Sequence, residues 1–273
     1  MPDRQTGPDL LKLGEAIASK GPVKTLPTPR RVRILFNGKY VADTTSALYV
    51  WEHEYYPYFY VPYSALPPGV LIEDEATGNQ NPCWQAELRM GTRTTDRVLC
   101  FGSEAVLGEH AKALAHMVRV EFGAADAWFE EDVQIYVHPK DPFRRVDILH
   151  STRPLKVRVE GKLVAETTAS YHLHETGLPC RYYVPATAVD RAVLKGSGST
   201  TACPYKGVAN YYDVEFDGDD GQKKTFKDLV WYYRAPTVEC ASIAGCLCFY
   251  HEKEGVEVEL DGKVLTRPQT PWS

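Results

Sequence analysis

The sequence predicts a mainly β protein: two β modules in tandem, one helix in each, and a short helical extension in front. Three observations lead there. "GKYVADTT" at Gly38–Thr45 returns as "GKLVAETT" at Gly161–Thr168, and "YVP" at Tyr60 returns at Tyr183 with the same offset of 123 residues. Self-similarity at a fixed period marks a duplicated unit. Each copy opens on a hairpin signal, and a long stretch of the second copy alternates residue by residue as a strand does.

The elements follow in order. An extension over residues 1–28 carries a helix around Asp9–Lys20, and the first repeat spans 29–150. "VRILF-NG-KYVAD" is two strand-like runs about Asn37-Gly38, a pair that supplies the positive φ of a two-residue type I′ turn. "ALYVWE" and "YFYVP" read as the third and fourth strands, the proline closing the ladder because it has no N–H. "SEAVLGEHAKALAHMV", with Ser103 as N-cap, predicts the helix of this copy, and a short β segment ends the unit.

The second repeat, 151–273, runs the same course: "VRV-EG-KLVAE", "SYHLHE", then "RYYVP". "VANYYDVEF" places Val208, Asn210, Tyr212, Val214 and Phe216 on one face and Ala209, Tyr211, Asp213 and Glu215 on the other. "DGDDGQ" is a turn and "TFKDLVWYY" the returning strand. "APTVECASIAGCLC" reads as the helix, with Pro236 in its first turn. The join "HSTRP" is short, which favours units packed together.

Composition narrows the function. A net charge of −5 with no basic run argues against a nucleic-acid binder. No apolar stretch approaches the roughly 20 residues that span a bilayer, and the N-terminus has no signal core, so a cytoplasmic protein is expected. Seven cysteines, an odd number without Cys-x-x-Cys spacing, read as reduced thiols. Walker, dinucleotide and nucleophile-elbow motifs are missing, and the "GSGS" of Gly196–Ser199 is too isolated to count.

"GKYVADTTSALYVWE", "CPYKGVANYY", "ASIAG" and "DAWFEEDVQIYVHPKDPFRRVD" together resemble the family catalogued as domain of unknown function four-two-seven, sometimes labelled a nucleotidyltransferase-type domain. The resemblance covers most of the chain after Pro29 in both copies. It implies a tent-like or open-barrel β fold for each unit and little secure biochemistry. The Cys-Pro-Tyr-Lys-Gly signature stands once, at Cys203–Gly207; the first copy has "NPCWQAELRMG" there, without the lysine.

That asymmetry directs attention to the second copy. Cys203 is a candidate nucleophile and otherwise a small buried side chain beside a turn. Lys206 offers a charge for an anionic or carbonyl group. Glu175, at a strand end, is a candidate general base, or a partner for Lys206 or Arg181. The tyrosines and Trp231 are dense enough that about half must enter a core while the rest line a hollow. Tyr183, Asn210, Tyr212, Trp231 and Tyr233 are the expected ligand contacts. His172 with His174, and Cys246 and Cys248 with His251, lack the paired spacing of a zinc site, so no metal and no cofactor is expected. "HPKDPFRR" reads as a solvated linker.

The expected function is small-molecule binding, with proton-transfer or isomerisation chemistry, in an aromatic hollow of the second repeat. Nucleotidyl transfer, from the family label, and a non-catalytic binding or scaffold role are the alternatives. The expected partner is a small molecule; oligomeric state cannot be read from the residues.

Overall fold

A computed structural model describes residues 9–72, 80–218 and 221–270. The tip of the predicted "DGDDGQ" turn at residues 219–220 lies outside them. The chain divides into two compact units between Asp141 and Pro142. Among the described residues, each unit is built of one seven-stranded and one four-stranded antiparallel sheet, connected in the same order, and none of these sheets closes into a barrel.

In the second unit the seven-stranded sheet runs Val146–Ser151, Ser170–Glu175, Arg181–Pro185, Cys246–Phe249, Lys223–Tyr233, Gly207–Asp217, Leu194–Cys203. Its four-stranded partner runs Lys162–Thr167, Leu155–Val159, Val256–Leu260, Lys263–Val264. The duplicated segment builds the hairpins: Val32–Phe36 with Lys39–Thr44, and Leu155–Val159 with Lys162–Thr167. Both turns take positive φ at each central residue, Asn37 and Gly38 in one, Glu160 and Gly161 in the other. The hairpin with the Asn-Gly pair is therefore no different in form from the one in which glutamate bears the strain.

One face of each seven-stranded sheet joins the apolar face of its four-stranded partner. Ile34, Phe36, Val98, Val118 and Trp128 anchor that core in the first unit, and Val157, Val184, Val214, Val230 and Val258 in the second. The opposite face is covered differently in the two units. In the first, helix Leu10–Lys20 lies on it, burying Leu10, Gly14, Ile17 and Ala18, the i, i+4, i+7, i+8 stripe of an amphipathic helix. Asp9 caps its start by accepting from the Lys12 N–H at 3.2 Å, and Gly21 ends it at φ 83°. The helix packs over Cys83, Leu99 and Phe101. In the second unit Ala209 and Trp231 hold the places of Cys83 and Leu99, as the strand registers show. Tyr211 and Tyr233 stand beside them, and ring bulk covers the face instead of a helix.

The predicted helix of each repeat is present in short 3₁₀ form. "SEAVLGEHAKALAHMV" gives only a 3₁₀ turn at Glu109–Leu114 followed by the strand Met117–Val120, and "APTVECASIAGCLC" a 3₁₀ turn at Val238–Ile243 followed by the strand Cys246–Phe249. Both strands are central and buried at every residue, so they show no alternation and their apolar runs read as helix.

At the sheet edge, strand Leu194–Cys203 breaks register between Gly196 and Thr200, so "GSGS" is an irregularity of an edge strand. Ser197 and Ser199 there donate to the two oxygens of Asp228, at 2.5 and 2.8 Å. All seven cysteines are unbridged. Among the described residues no helix is long and apolar enough to cross a membrane.

Two buried histidines give the fold an acid limit. His172 bonds the Ser170 hydroxyl at 3.1 Å, and burial, opposing the charged ring, holds both His172 and His251 below the ordinary value of 6.5. Between that lowered value and 6.5 the unfolded chain binds more protons than the folded one. Thermal stability is expected to hold above about pH 6.5 and to decline as pH drops below it, with a shallower decline in a His172→Gln/His251→Gln variant. Calorimetry from pH 8 to 5 checks this. An unchanged slope in the double variant refutes it.

Candidate functional site

The Cys203–Gly207 stretch is a hairpin turn. Cys203 pairs with Gly207 across it, and Gly207 adopts φ 102°, a conformation suited to a residue without Cβ. The turn is tied down from outside. Thr237 donates its N–H to the Lys206 carbonyl at 3.1 Å and its hydroxyl to the Tyr205 carbonyl at 2.6 Å. The Cys240 thiol donates to the same Tyr205 oxygen at 3.4 Å.

Lys206 extends from this turn to Glu175 at the end of strand Ser170–Glu175, with Nζ 2.5 Å from Oε2. Their side chains are only 12 % and 8 % exposed. Burial alone would lower the Lys206 ammonium, but Cys203 and Glu175 outweigh it and hold it above its ordinary value. The pair is thus a buried ion pair, each member neutralising the other. The first unit has a counterpart: Glu52, in the place of Glu175, accepts from Arg119 Nε at 2.5 Å and from the Tyr60 hydroxyl at 3.1 Å. Arg119 occupies the position that Cys248 holds in the second unit, since Arg119 registers with Leu99 and Cys248 with Trp231. The first copy therefore has a charged partner for its glutamate, donated by a different strand.

The five expected ligand contacts are divided by the sheet. Tyr183, Trp231 and Tyr233 lie on the face of Glu175 and are buried, with Trp231 Nε1 donating to the Tyr183 hydroxyl at 3.0 Å. Burial raises both tyrosine phenols well above their ordinary range, so neither serves as a base near neutral pH. Asn210 and Tyr212 are on the opposite face, as the alternation predicts. Tyr212 stacks on Tyr232 at 4.8 Å, and Asn210 donates to the Val208 carbonyl at 3.4 Å. One hollow cannot be lined by both groups.

An open cleft of about 660 Å³ does lie in the second unit, lined by Arg181, Thr201, Tyr211, Asp228, Tyr250 and Glu252 among others. Arg181 opens the strand Arg181–Pro185 and shares its face with Tyr183. Glu252 stands in the turn after strand Cys246–Phe249, where Tyr250 donates its N–H to the Leu229 carbonyl at 3.0 Å. Arg181 Nη2 donates to Glu252 Oε1, and its guanidinium lies 5.5 Å from the centre of the Trp231 ring. Trp231 in turn meets the Tyr250 ring at 4.4 Å. The Tyr211 and Thr201 hydroxyls are 2.6 Å apart. Trp231 thus packs against two residues of the cleft, Arg181 and Tyr250.

Glu252 is the unusual member. Its side chain is 5 % exposed, and Oε2 has no hydrogen-bond partner. Burial would raise this carboxyl, yet the hydrogen bond and charge of Arg181 hold it below the usual range and keep it ionised. Sequence reading reached Tyr211 and Arg181 only as neighbours of other candidates and missed Glu252. The one available signal was that Tyr211 shares a face with Ala209, opposite Tyr212. Among the described residues no three His, Cys, Asp or Glu side chains are placed to hold a metal ion.

The architecture defines a class: mainly β proteins made of two copies of one open antiparallel module, the second copy carrying a polar cleft above buried aromatics. Within it, the chain belongs to the family described as a domain of unknown function, DUF427, whose model matches residues 24–84 and 147–264. No curated protein matches the chain.

Proposed function

We propose that the second unit is a binding module for a small molecule, seated in the cleft between Arg181, Tyr211, Tyr250 and Glu252. The observation that carries this reading is the Glu252 carboxylate: ionised, set in the wall of an open cleft, with one oxygen unpartnered. A buried acceptor without a donor is costly, and native proteins keep such groups where a ligand or water completes them. The last torsion of a glutamate is soft, so a modest rotation brings Oε2 to a donor in the cleft. The volume lies within the range of about 300–1,000 Å³ common to small-molecule sites.

Binding fits this chemistry better than acid–base catalysis. Glu175 and Lys206 satisfy each other as a buried pair, and the phenols of Tyr183 and Tyr233 stay protonated. Nucleotidyl transfer draws on carboxylates grouped about a divalent ion, a grouping the described residues do not supply.

The test is a thermal-shift screen of soluble metabolites against the wild-type chain and the Tyr211→Phe and Tyr250→Ala variants. Compounds that raise the melting temperature of the wild type are expected to lose that effect in at least one variant. Stabilisation that is equal in all three proteins, or absent from all, overturns the reading.

A further inference from the structure

We infer that the ligand of this cleft is a neutral polyhydroxylated molecule, a sugar or sugar-like polyol of one or two rings. The inference rests on the binding reading above and specifies the ligand class.

The buried charges of the cleft are matched before any ligand arrives, and the further cation of the lining, Lys253, is solvent-exposed. Arg181 is paired with Glu252, Lys227 with Asp213 at 2.5 Å, and Asp228 accepts from two serine hydroxyls. A net anion or cation would meet no unpaired buried counter-charge, and desolvating it there would be uncompensated. What the cleft does offer is hydrogen-bonding capacity without net charge. Glu252 Oε2 is a buried acceptor without a partner in the cleft wall, and the Thr201, Tyr211 and Tyr250 hydroxyls can each donate and accept. Carboxylate and guanidinium are planar and two-pronged, the geometry that engages adjacent hydroxyls of one ring.

The apolar side of the lining points the same way. The Tyr250 ring rests against Trp231, giving an aromatic edge beside the polar groups. A sugar ring is likewise two-sided, with C–H bonds on its faces and hydroxyls around its rim. An organic ammonium ion is the main competitor for an aromatic site with a carboxylate. Here Arg181 already lies over Trp231 and already neutralises Glu252, so the place a cation would take is filled by a guanidinium.

The experiment is ligand-observed NMR and titration calorimetry on the full chain. The probes are D-glucose, D-galactose, N-acetylglucosamine, maltose and myo-inositol, with glutamate, putrescine and AMP as charged comparators. At least one polyol is expected to bind, with affinity weakened about tenfold or more in Glu252→Gln and in Thr201→Val, the expected scale for losing a hydrogen bond to a charged or desolvated partner. Thr201 is exposed, so its variant reports on binding even if the Glu252 variant folds poorly. The Val238→Ser variant, at an 86 % exposed position outside the cleft, should bind as wild type does. Binding of a charged comparator that these two variants abolish, with no polyol bound, refutes the ligand class and leaves the cleft reading intact. Polyol binding indifferent to both variants refutes the class as assigned to this cleft. No binding by any probe also refutes the class, and the metabolite screen then decides the cleft reading separately.

Discussion

Replacing Lys206 by methionine is expected to cost about 3–5 kcal/mol of stability, the usual penalty for leaving one charge of a buried pair uncompensated. Glu175 would remain only 8 % exposed, with its ammonium partner gone and an apolar chain in its place. The double variant Lys206→Met/Glu175→Leu should recover much of the loss, because replacing both members removes the stranded charge. Urea unfolding of the two single variants and the double one gives the coupling directly. A lysine whose head group met solvent, held there as a ligand-binding charge, would cost under about 1 kcal/mol on removal. A loss that small refutes the structural assignment of the pair and returns Lys206, Glu175 and Cys203 to candidacy as a catalytic group.

Gly108→Ala is expected to detach the N-terminal helix from the first unit. The Gly108 N–H donates to the Ala18 carbonyl at 3.0 Å, so the two backbones run in contact. A Cβ at residue 108 would stand 2.4 Å from the Ser19 carbonyl oxygen and 3.1 Å from that of Ala18. Neither obstacle is a flexible side chain. The helix end must move, carrying Ile17 and Ala18 off the sheet, and the cost should be at least the roughly 1–3 kcal/mol of an overpacked core. Gly123→Ala is the control: its Cβ would meet nothing within 4 Å. Hydrogen exchange across residues 10–20 should quicken in Gly108→Ala alone. Exchange as slow as in the wild type, together with unchanged urea unfolding, would show that the contact yields without moving the helix.

The fold was legible where the local chemistry is self-sufficient. Asn37-Gly38 states its turn without help from the rest of the chain, and "VANYYDVEF" states its two faces, confirmed in Tyr211 against Trp231 and Tyr212 against Tyr232. It was not legible where burial removes the pattern. Met117–Val120 and Cys246–Phe249 are enclosed on both faces, and the residues that lead into them, such as "GEHAKAL", are good helix formers that tertiary structure bends into 3₁₀ turns. The candidate site divided along the same line. Lys206 and Glu175 do meet, but their meeting could not reveal from sequence that the pair is buried and satisfied. Glu252 lies in "YHEKEG", a stretch that reads as an ordinary solvated turn. Its partner is Arg181, 71 positions earlier, which the local sequence does not encode.

The broken register of Leu194–Cys203 has a consequence for the life of the chain in a crowded solution. An outermost strand with a regular row of free amides and carbonyls is a template on which another polypeptide can add itself, and such additions propagate into insoluble material. Between Gly196 and Thr200 that row is interrupted, and two serines bend inward to Asp228. The margin of the large sheet thus offers a newcomer no continuous ladder to extend.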